Sequence, residues 1–341
     1  MSISVSWSLS FMLTTTRKNI PGLLVCLVIA MSTSFLSENY GGPQLLYALL
    51  IGLSLHFLYL NETVKPGIDF CAKTVLRLGV AFLGIRITFA DIGAIGWNTG
   101  LMVMFAVGAT VCLGFFLAKL LKLSPDFGLI AGGSVGICGA SAALAVASAL
   151  PKTKENERFT LLVVVGVTVL STIAMVVYPF ALQLLNITDL PAGIFLGATI
   201  HDVAQVVAAG MLFGPEAGDV ATVVKLFRVA LLLPVVLFIS IFFGAEKSSQ
   251  RLGWGSLRLI PTFLLGFVAL SVVASMQILP SSVTHSIGGI SRWMLVIAIG
   301  AAGLKTNFQE LAKLGWQPVV MLVVETLFIA SIGLIFILNL A

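Results

Sequence analysis

Four polar residues stand inside one long apolar stretch, PAGIFLGATIHDVAQVVAAGMLFG, at residues 191–214: Thr199, His201, Asp202 and Gln205. An ionisable side chain at membrane depth is costly, and where it occurs it usually has a function. Asp202 could carry a coupling proton or sodium ion, because burial favours the neutral carboxyl group. His201 could do the same or donate a hydrogen bond to an anion. The alternative is that both side chains only link helices through hydrogen bonds.

A second apolar stretch, residues 128–150, contains the sequence AGGSVGICGAS, with glycines at Gly132, Gly133, Gly136 and Gly139. Closely spaced glycines weaken a helix. A helix that breaks at this depth leaves free N–H groups at the start of its second half, and these groups attract an anion. The alternative is close helix packing through small residues. Because two such stretches occur in one chain, we predict discontinuous helices at 128–150 and 191–213.

Two cations follow in the sequence ATVVKLFRVALLLP, at Lys225 and Arg228, three residues apart and hence on one helix face. A guanidinium group suits an oxyanion because it can donate two parallel hydrogen bonds. Arg228 could equally pair with Asp202, which would make the pair structural. Lys225 could lie near the membrane boundary and extend its amine to water.

These residues together predict an anion site inside the membrane. The residues predicted to bind the substrate are Ser134, Gly136, Cys138, Gly139, Ser141, Thr199, His201, Gln205 and Arg228, with Asp202 as the ion-coupling residue. No catalytic residue, metal ligand or cofactor is predicted. Two other functions fit the same residues. One is an intramembrane hydrolase with Ser134 or Cys138 as nucleophile and His201 as base; the other is an anion channel.

The composition indicates an all-α polytopic membrane protein, whose solvent is the lipid bilayer. The 341 residues are 59% hydrophobic and only 10% charged, whereas soluble domains have about a quarter of their residues charged. The net charge of +5 is concentrated at segment ends and does not imply nucleic-acid binding. The four cysteines lack CxxC spacing, so neither a disulfide framework nor a zinc site is indicated.

Eleven apolar segments are each near the length that crosses a bilayer, about 20 residues. They lie at 20–36, 43–60, 68–88, 98–118, 128–150, 159–183, 191–213, 220–243, 258–279, 286–304 and 317–339. We therefore predict one transmembrane domain over residues 20–341, preceded by a cytoplasmic tail at 1–19. Counting Lys and Arg on alternate sides gives ten against four, which predicts a cytoplasmic N-terminus and an external C-terminus.

An internal repeat links residues 84–97, GIRITFADIGAIGW, to residues 303–316, GLKTNFQELAKLGW. The same offset of 219 brings the second, third and fourth segments, within 43–118, onto the ninth, tenth and eleventh, within 258–339. Because the shift covers seven segments, an odd number, the two copies would cross the membrane in opposite directions, as in many secondary transporters. The interrupted segments are the fifth and the seventh, however, which a plain inverted repeat would not produce. Either a segment is miscounted or these two are not repeat partners.

Three motifs carry a resemblance to a known family: GGSVGICGASAALAV (132–146), GATIHDVAQVVAAG (197–210) and KLFRVALLLP (225–234). Over nearly its whole length the chain resembles the YeiH-like family of sulfate exporters. That family is similar in architecture to bile-acid symporters and sodium–proton antiporters. The resemblance implies a bacterial plasma-membrane protein in which a core domain moves against a scaffold, by alternating access, to transport sulfate or a related sulfur oxyanion. It also allows a homodimer, and the substrate stays open.

Overall fold

The computed structural model describes residues 3–243, 262–307 and 315–339, with side chains from Lys18 onward. These residues form helices and connecting turns, with no strand among them. Six helical spans in this part of the chain are long and apolar enough to cross a membrane: Lys18–Tyr40, Trp97–Leu120, Lys154–Leu184, Pro215–Phe243, Ser281–Lys305 and Trp316–Leu338. Four shorter apolar helices, Gln44–Ser54, Ala140–Ala149, Val203–Phe213 and Thr262–Ser275, lie within other predicted segments. The all-α membrane class is therefore confirmed.

The chain divides into two compact units, one formed by residues 1–86 and 266–307 and the other by 87–265 and 308–341. The helices of the first unit are α1 (Ile3–Tyr40), α2 (Gln44–Ser54), α3 (Lys65–Phe70), α4 (Leu76–Leu83), α14 (Thr262–Ser275, which crosses the boundary at 266) and α15 (Ser281–Lys305). Helix α1 starts at Ile3 and so includes most of the predicted tail. Residues 258–261 of the ninth predicted segment lie outside the described residues.

The first unit is held together by glycines that let helix backbones touch. Gly22 of α1 and Gly67 of α3 face each other so closely that a Cβ atom on either would collide with the partner's backbone. Gly52 of α2 and Gly303 of α15 form a second contact of this kind. Lipid provides no hydrophobic force between helices, so close backbone packing at small residues takes its place. At the end of α15, Lys305 forms an ion pair of 2.6 Å with Asp69.

The second unit contains the two stretches singled out above. Its helices are α5 (Phe89–Ala94), α6 (Trp97–Leu120), α7 (Pro125–Gly133), α8 (Ala140–Ala149), α9 (Lys154–Leu184), α10 (Asp189–Thr199), α11 (Val203–Phe213), α12 (Pro215–Ala230), α13 (Leu232–Phe243) and α16 (Trp316–Leu338). Glycines again set the packing. Gly128 and Gly132 of α7 lie against α6, and Gly193 and Gly197 of α10 lie against α12.

The repeated Gly-Trp pair has the same local structure in both copies. Gly96 has φ +79° and ψ 153°, Gly315 has φ +83° and ψ 159°, and each directly precedes a helix that begins with an exposed tryptophan. Glycine is required because other residues rarely adopt this φ. Residues 308–314, in the second copy, lie outside the described residues.

The helices that follow these glycines also pack alike. Gly114 of α6 and Gly333 of α16 are 219 residues apart, as the repeat requires. Gly114 lies against α7 at Gly128 and Gly132, and Gly333 lies against α10 at Phe195 and Thr199. Helix α6 thus packs on α7 through the glycine that corresponds to the one through which α16 packs on α10. Helices α7 and α10 are the ones that end at the two interruptions.

We predict that Gly303→Ala will destabilise the protein while Gly289→Ala, in the same helix, will not. The added methyl group at position 303 has to displace the α2 backbone, whereas nothing lies within 4 Å of a Cβ atom at position 289. Overpacking of this kind costs about 1–3 kcal/mol. Thermal unfolding of the purified protein in detergent measures the difference. Equal melting temperatures for the two variants would contradict the proposed packing of α2 on α15.

Candidate functional site

The first interruption lies between α7 and α8. Helix α7 starts at a serine cap, where Ser124 Oγ accepts a hydrogen bond from the Phe127 amide, and ends at Gly133. A wider π-helical turn, Ser134–Cys138, follows. The Gly139 amide donates to the Ser134 carbonyl (2.8 Å), and the Ser134 hydroxyl donates to the Gly139 carbonyl (2.9 Å). Gly139 has φ +63° and ψ −130°, a conformation that glycine adopts readily and other residues do not.

The second interruption lies between α10 and α11. The backbone leaves the helix after Thr199 and is extended at Ile200 (φ −68°, ψ 140°) and at Asp202 (φ −94°, ψ 141°). Asp202 caps α11, because its Oδ1 accepts a hydrogen bond from the Ala204 amide at 3.0 Å. The Asp202 amide donates in turn to Ser171 Oγ on α9, also at 3.0 Å. The partly exposed carboxylate of Asp202 is therefore fixed at the N-terminus of α11.

The guanidinium group of Arg228, on α12, joins the two interruptions. Its Nε and Nη2 both donate to the Gly136 carbonyl, at 3.0 and 2.8 Å, and Nη2 also donates to the Val135 carbonyl at 2.8 Å. Its Nη1 donates to the carbonyls of Gly197 (3.1 Å) and Ile200 (3.0 Å). A guanidinium has five N–H donors, and these five bonds use them all. Arg228 has no exposed surface.

Lys225 lies one helical turn earlier and binds the same two regions. Its Nζ donates to the Ile137 carbonyl at 2.7 Å and to the Ile200 carbonyl at 2.9 Å. The side chain is fully buried, so the expectation that it reaches water at the membrane boundary is wrong. Both cations thus lie at the C-terminal ends of α7 and α10, where unpaired carbonyls make a helix end negative.

The carboxylate of Asp202 is not among the acceptors of Arg228, so the structural pair considered from the sequence is not the arrangement found. Backbone carbonyls take that place. Direct binding of a substrate by Arg228 stays a prediction. In this conformation it would require an anion to displace some of the carbonyl oxygens.

The remaining predicted residues are divided between buried and exposed positions. The Thr199 hydroxyl donates to the Phe195 carbonyl (2.7 Å). Gln205 Nε2 donates to Thr172 Oγ1 on α9 (2.7 Å), while its Oε1 is buried without a hydrogen-bond partner in the described part of the chain. Cys138 is 6% exposed. Ser141 differs from these, because it is exposed in the first turn of α8.

His201 is fully buried and connects the second interruption to α16. Its Nε2 lies 3.0 Å from Thr326 Oγ1. The Thr326 hydroxyl donates its own hydrogen to the Leu322 carbonyl (2.7 Å), so it accepts from the Nε2–H of His201. On the other side, a Cβ atom on Gly139 would lie 3.6 Å from the His201 carbonyl oxygen. The two interruptions therefore meet directly at Gly139 and His201.

Sequence reasoning missed several contributors. Ser171 and Thr172 accept from the second interruption, but a Ser-Thr pair in an apolar helix gives little signal. Glu325 is an isolated acid in the apolar segment 317–339, and the sequence alone gives it no role. In the structure it is fully buried, and both carboxyl oxygens lack a hydrogen-bond partner among the described residues. Its neighbour Thr326 is the partner of His201.

The fold and the site define an α-helical membrane protein with two interrupted stretches joined by buried cations. The chain belongs to the family described as Conserved hypothetical protein 698, whose model matches residues 21–322, so the resemblance to the YeiH-like family is confirmed.

Curated relatives share nearly the whole chain. It is 45% identical over 316 residues to the UPF0324 membrane protein CT0845 of Chlorobaculum tepidum, covering 92% of this chain and 88% of that protein. It is 44% identical over 320 residues to the UPF0324 membrane protein TauZ of Paracoccus denitrificans, covering 92% and 94%. It is 43% identical over 310 residues to the UPF0324 membrane protein RB0971 of Rhizobium meliloti, covering 91% and 90%. No solved structure matches the chain.

We predict that Arg228→Lys will lower the free energy of unfolding by roughly 2–4 kcal/mol, because a lysine cannot satisfy four separate carbonyls and each buried unpaired group is costly. Arg158→Lys, at an exposed position, is the matched control. Thermal unfolding in detergent gives the comparison. A fully stable Arg228→Lys protein would contradict this structural role of Arg228.

Proposed function

We propose that this protein is a secondary transporter of a small anion, in first place sulfate or a related sulfur oxyanion, which works by alternating access of a core domain. The observation that carries the proposal is the pair of fully buried cations, Lys225 and Arg228, which bind carbonyls of both interrupted stretches. Irregular backbone at membrane depth is tolerated only where it is buried in protein or lines a cavity. In transporters such backbone marks the binding site.

Helices α8 and α11, which follow the two interruptions, have different chemical groups at their N-termini. This difference supports the binding of the anion at one N-terminus and of the coupling ion at the other. Helix α8 begins at Gly139 without a side-chain cap, and the exposed hydroxyl of Ser141 lies in its first turn. An uncapped helix N-terminus beside a hydroxyl suits an anion. Helix α11 begins at Asp202, whose carboxylate occupies that position itself. We assign the anion to the start of α8 and the coupling ion, a proton or sodium, to Asp202.

The same proposal includes the membrane arrangement. Helices α7–α8 and α10–α11 would each make one discontinuous crossing, and α2 with its following turn, α3–α4 and α12–α13 would each make one more. Together with α1, α6, α9, α14, α15 and α16 this gives eleven crossings, with inverted repeats and a cytoplasmic N-terminus in a bacterial plasma membrane. The Lys and Arg distribution supports the orientation, and the alike packing of α6 on α7 and of α16 on α10 supports the repeats.

Proteoliposomes test the transport function. We expect wild type to take up one of sulfate, sulfite, thiosulfate or methanesulfonate, and an inward proton or sodium gradient to accelerate the uptake. Ser141→Ala should raise the KM about tenfold, because it removes a hydrogen bond to a charged ligand. Ser148→Ala is the matched control, since Ser148 is also exposed on α8. Absence of uptake of every anion under every gradient would reject the proposal and favour the hydrolase, and rapid uncoupled flux would favour a channel.

Asp202→Asn tests the coupling role separately. Asparagine still caps a helix, so its Oδ1 can keep the bond to the Ala204 amide while the charge is lost. We expect uptake down an anion gradient to persist and its acceleration by a cation gradient to disappear. Unchanged acceleration in this variant would show that the coupling ion binds elsewhere.

A further inference from the structure

Glu325 is a fully buried carboxylic acid of the second unit whose side chain makes no hydrogen bond within the described residues. It lies in α16, a helix long and apolar enough to span the membrane. It has no exposed surface, and neither carboxyl oxygen has a hydrogen-bond partner in the described ranges. A buried acid with a structural role is normally hydrogen-bonded. Glu325 therefore needs a different explanation.

The Oε1 atom of Glu325 faces the backbone of a neighbouring helix. Its Oε1 lies beside Gly114 of α6, 2.6 Å from where a Cβ atom would be, and Gly114 in turn touches Gly128 and Gly132 of α7. The carboxyl group thus faces a contact between helices that is made of glycines. Bare backbone on this side supplies neither an opposite charge nor a side-chain donor.

Several titratable groups on the neighbouring elements have hydrogen-bond partners of their own. Asp126, at the start of α7, accepts a hydrogen bond from Asn156 of α9. His201, between α10 and α11, is bound to Thr326. Lys225 and Arg228 of α12 are bound to carbonyls of the two interruptions. Cys138 and Asp202 lie at those interruptions, and Lys119 lies at the end of α6.

An ionised carboxylate in this position would cost several kcal/mol, because no cation or donor compensates for the loss of water. This environment favours the neutral form of the side chain, which holds a proton. Release of the proton requires a conformation in which water or a cation reaches the carboxyl group. Such a group binds a proton in one conformation and loses it in another, and this alternation is what coupling to a proton gradient needs.

Glu325 lies next to a residue that contacts the second interruption. Thr326, the next residue, contacts His201 at the second interruption. At the position 219 residues earlier, α6 has Ala106, which is also buried. The acid is thus found in one copy of the repeat and not in the other.

We infer that Glu325 is a proton-binding site within the membrane domain, and that the proton it holds is exchanged during anion transport. The inference rests on the proposed transport function and adds to it a second acid, separate from Asp202 in the interrupted stretch.

Glu325→Gln tests the inference in two independent ways. The first is infrared spectroscopy of the purified proteins, in which the spectrum of the variant is subtracted from that of wild type. Wild type should show the C=O band of a protonated carboxyl group at neutral pH, and Glu325→Gln should lack it. Glu157→Gln, which changes an exposed acid of α9, should keep the band. Identical spectra for wild type and Glu325→Gln would overturn the inference, whether or not any anion is transported.

The second test uses proteoliposomes and the member of the set of sulfate, sulfite, thiosulfate and methanesulfonate that wild type takes up. Glu325→Gln should still exchange labelled for unlabelled anion at equal concentrations on both sides, which also shows that it is folded. It should lose both the acceleration by a proton gradient and the anion-driven movement of protons. Intact proton coupling in Glu325→Gln would overturn the inference and leave the transport function standing. Loss of both exchange and coupling would also overturn the inference, because it would indicate that Glu325 has a packing role. Wild type that transports none of the anions rejects the transport function instead.

Discussion

Breaking a helix inside a membrane frees carbonyl oxygens that lipid cannot satisfy, and the rest of the second unit depends on how Lys225 and Arg228 solve this problem. Between them the two side chains bind the carbonyls of Val135, Gly136, Ile137, Gly197 and Ile200. A buried unpaired polar group costs about 1–3 kcal/mol. The cost of five such groups is comparable to the free energy of unfolding of a whole domain, which is only about 5–15 kcal/mol. Without the two cations, neither interruption could persist in this form.

The same bonds have a mechanical consequence. One guanidinium group holds carbonyls from both interruptions, and Gly139 touches His201 directly. The ends of α7 and α10 therefore cannot separate without breaking bonds to Arg228. Under the proposed function, these bonds would keep the two interruptions together while a core domain moves. The glycine contacts that place α7 on α6 and α10 on α12 extend this rigidity into the surrounding helices.

Much of this arrangement could be predicted from the sequence because it depends on residue types with narrow uses. Four closely spaced glycines and an acid in an apolar stretch pointed to the two stretches at which the structure interrupts its helices. Gly96 and Gly315 could be matched because a glycine followed by tryptophan recurs at a fixed offset in the sequence. The partners of Arg228 could not be predicted, since backbone carbonyls carry no sequence signal. Lys225 was misplaced for the same reason, because a cation bound to carbonyls needs no acid nearby in the sequence.

The order of the repeated segments could not be explained from the sequence, because the interruptions are two segments apart and the repeat partners seven. The packing of the helices offers an explanation. Gly114 lies against α7, which follows α6 in the chain, whereas Gly333 lies against α10, which precedes α16. If the copies are α6–α7 and α16–α10, the second copy is permuted: its interrupted stretch comes before the helix that it packs on. A shift of seven segments for α6 and α16 is then compatible with interruptions only two segments apart. Under the same assumption the copies would differ in one buried residue, since α16 has Glu325 where α6 has Ala106 at the corresponding position. The two interruptions differ in their backbone, since the first is a π-helical turn that ends at Gly139 and the second is extended at Ile200 and Asp202. Under the proposed function, that difference lets one stretch receive an anion while the other binds the coupling ion.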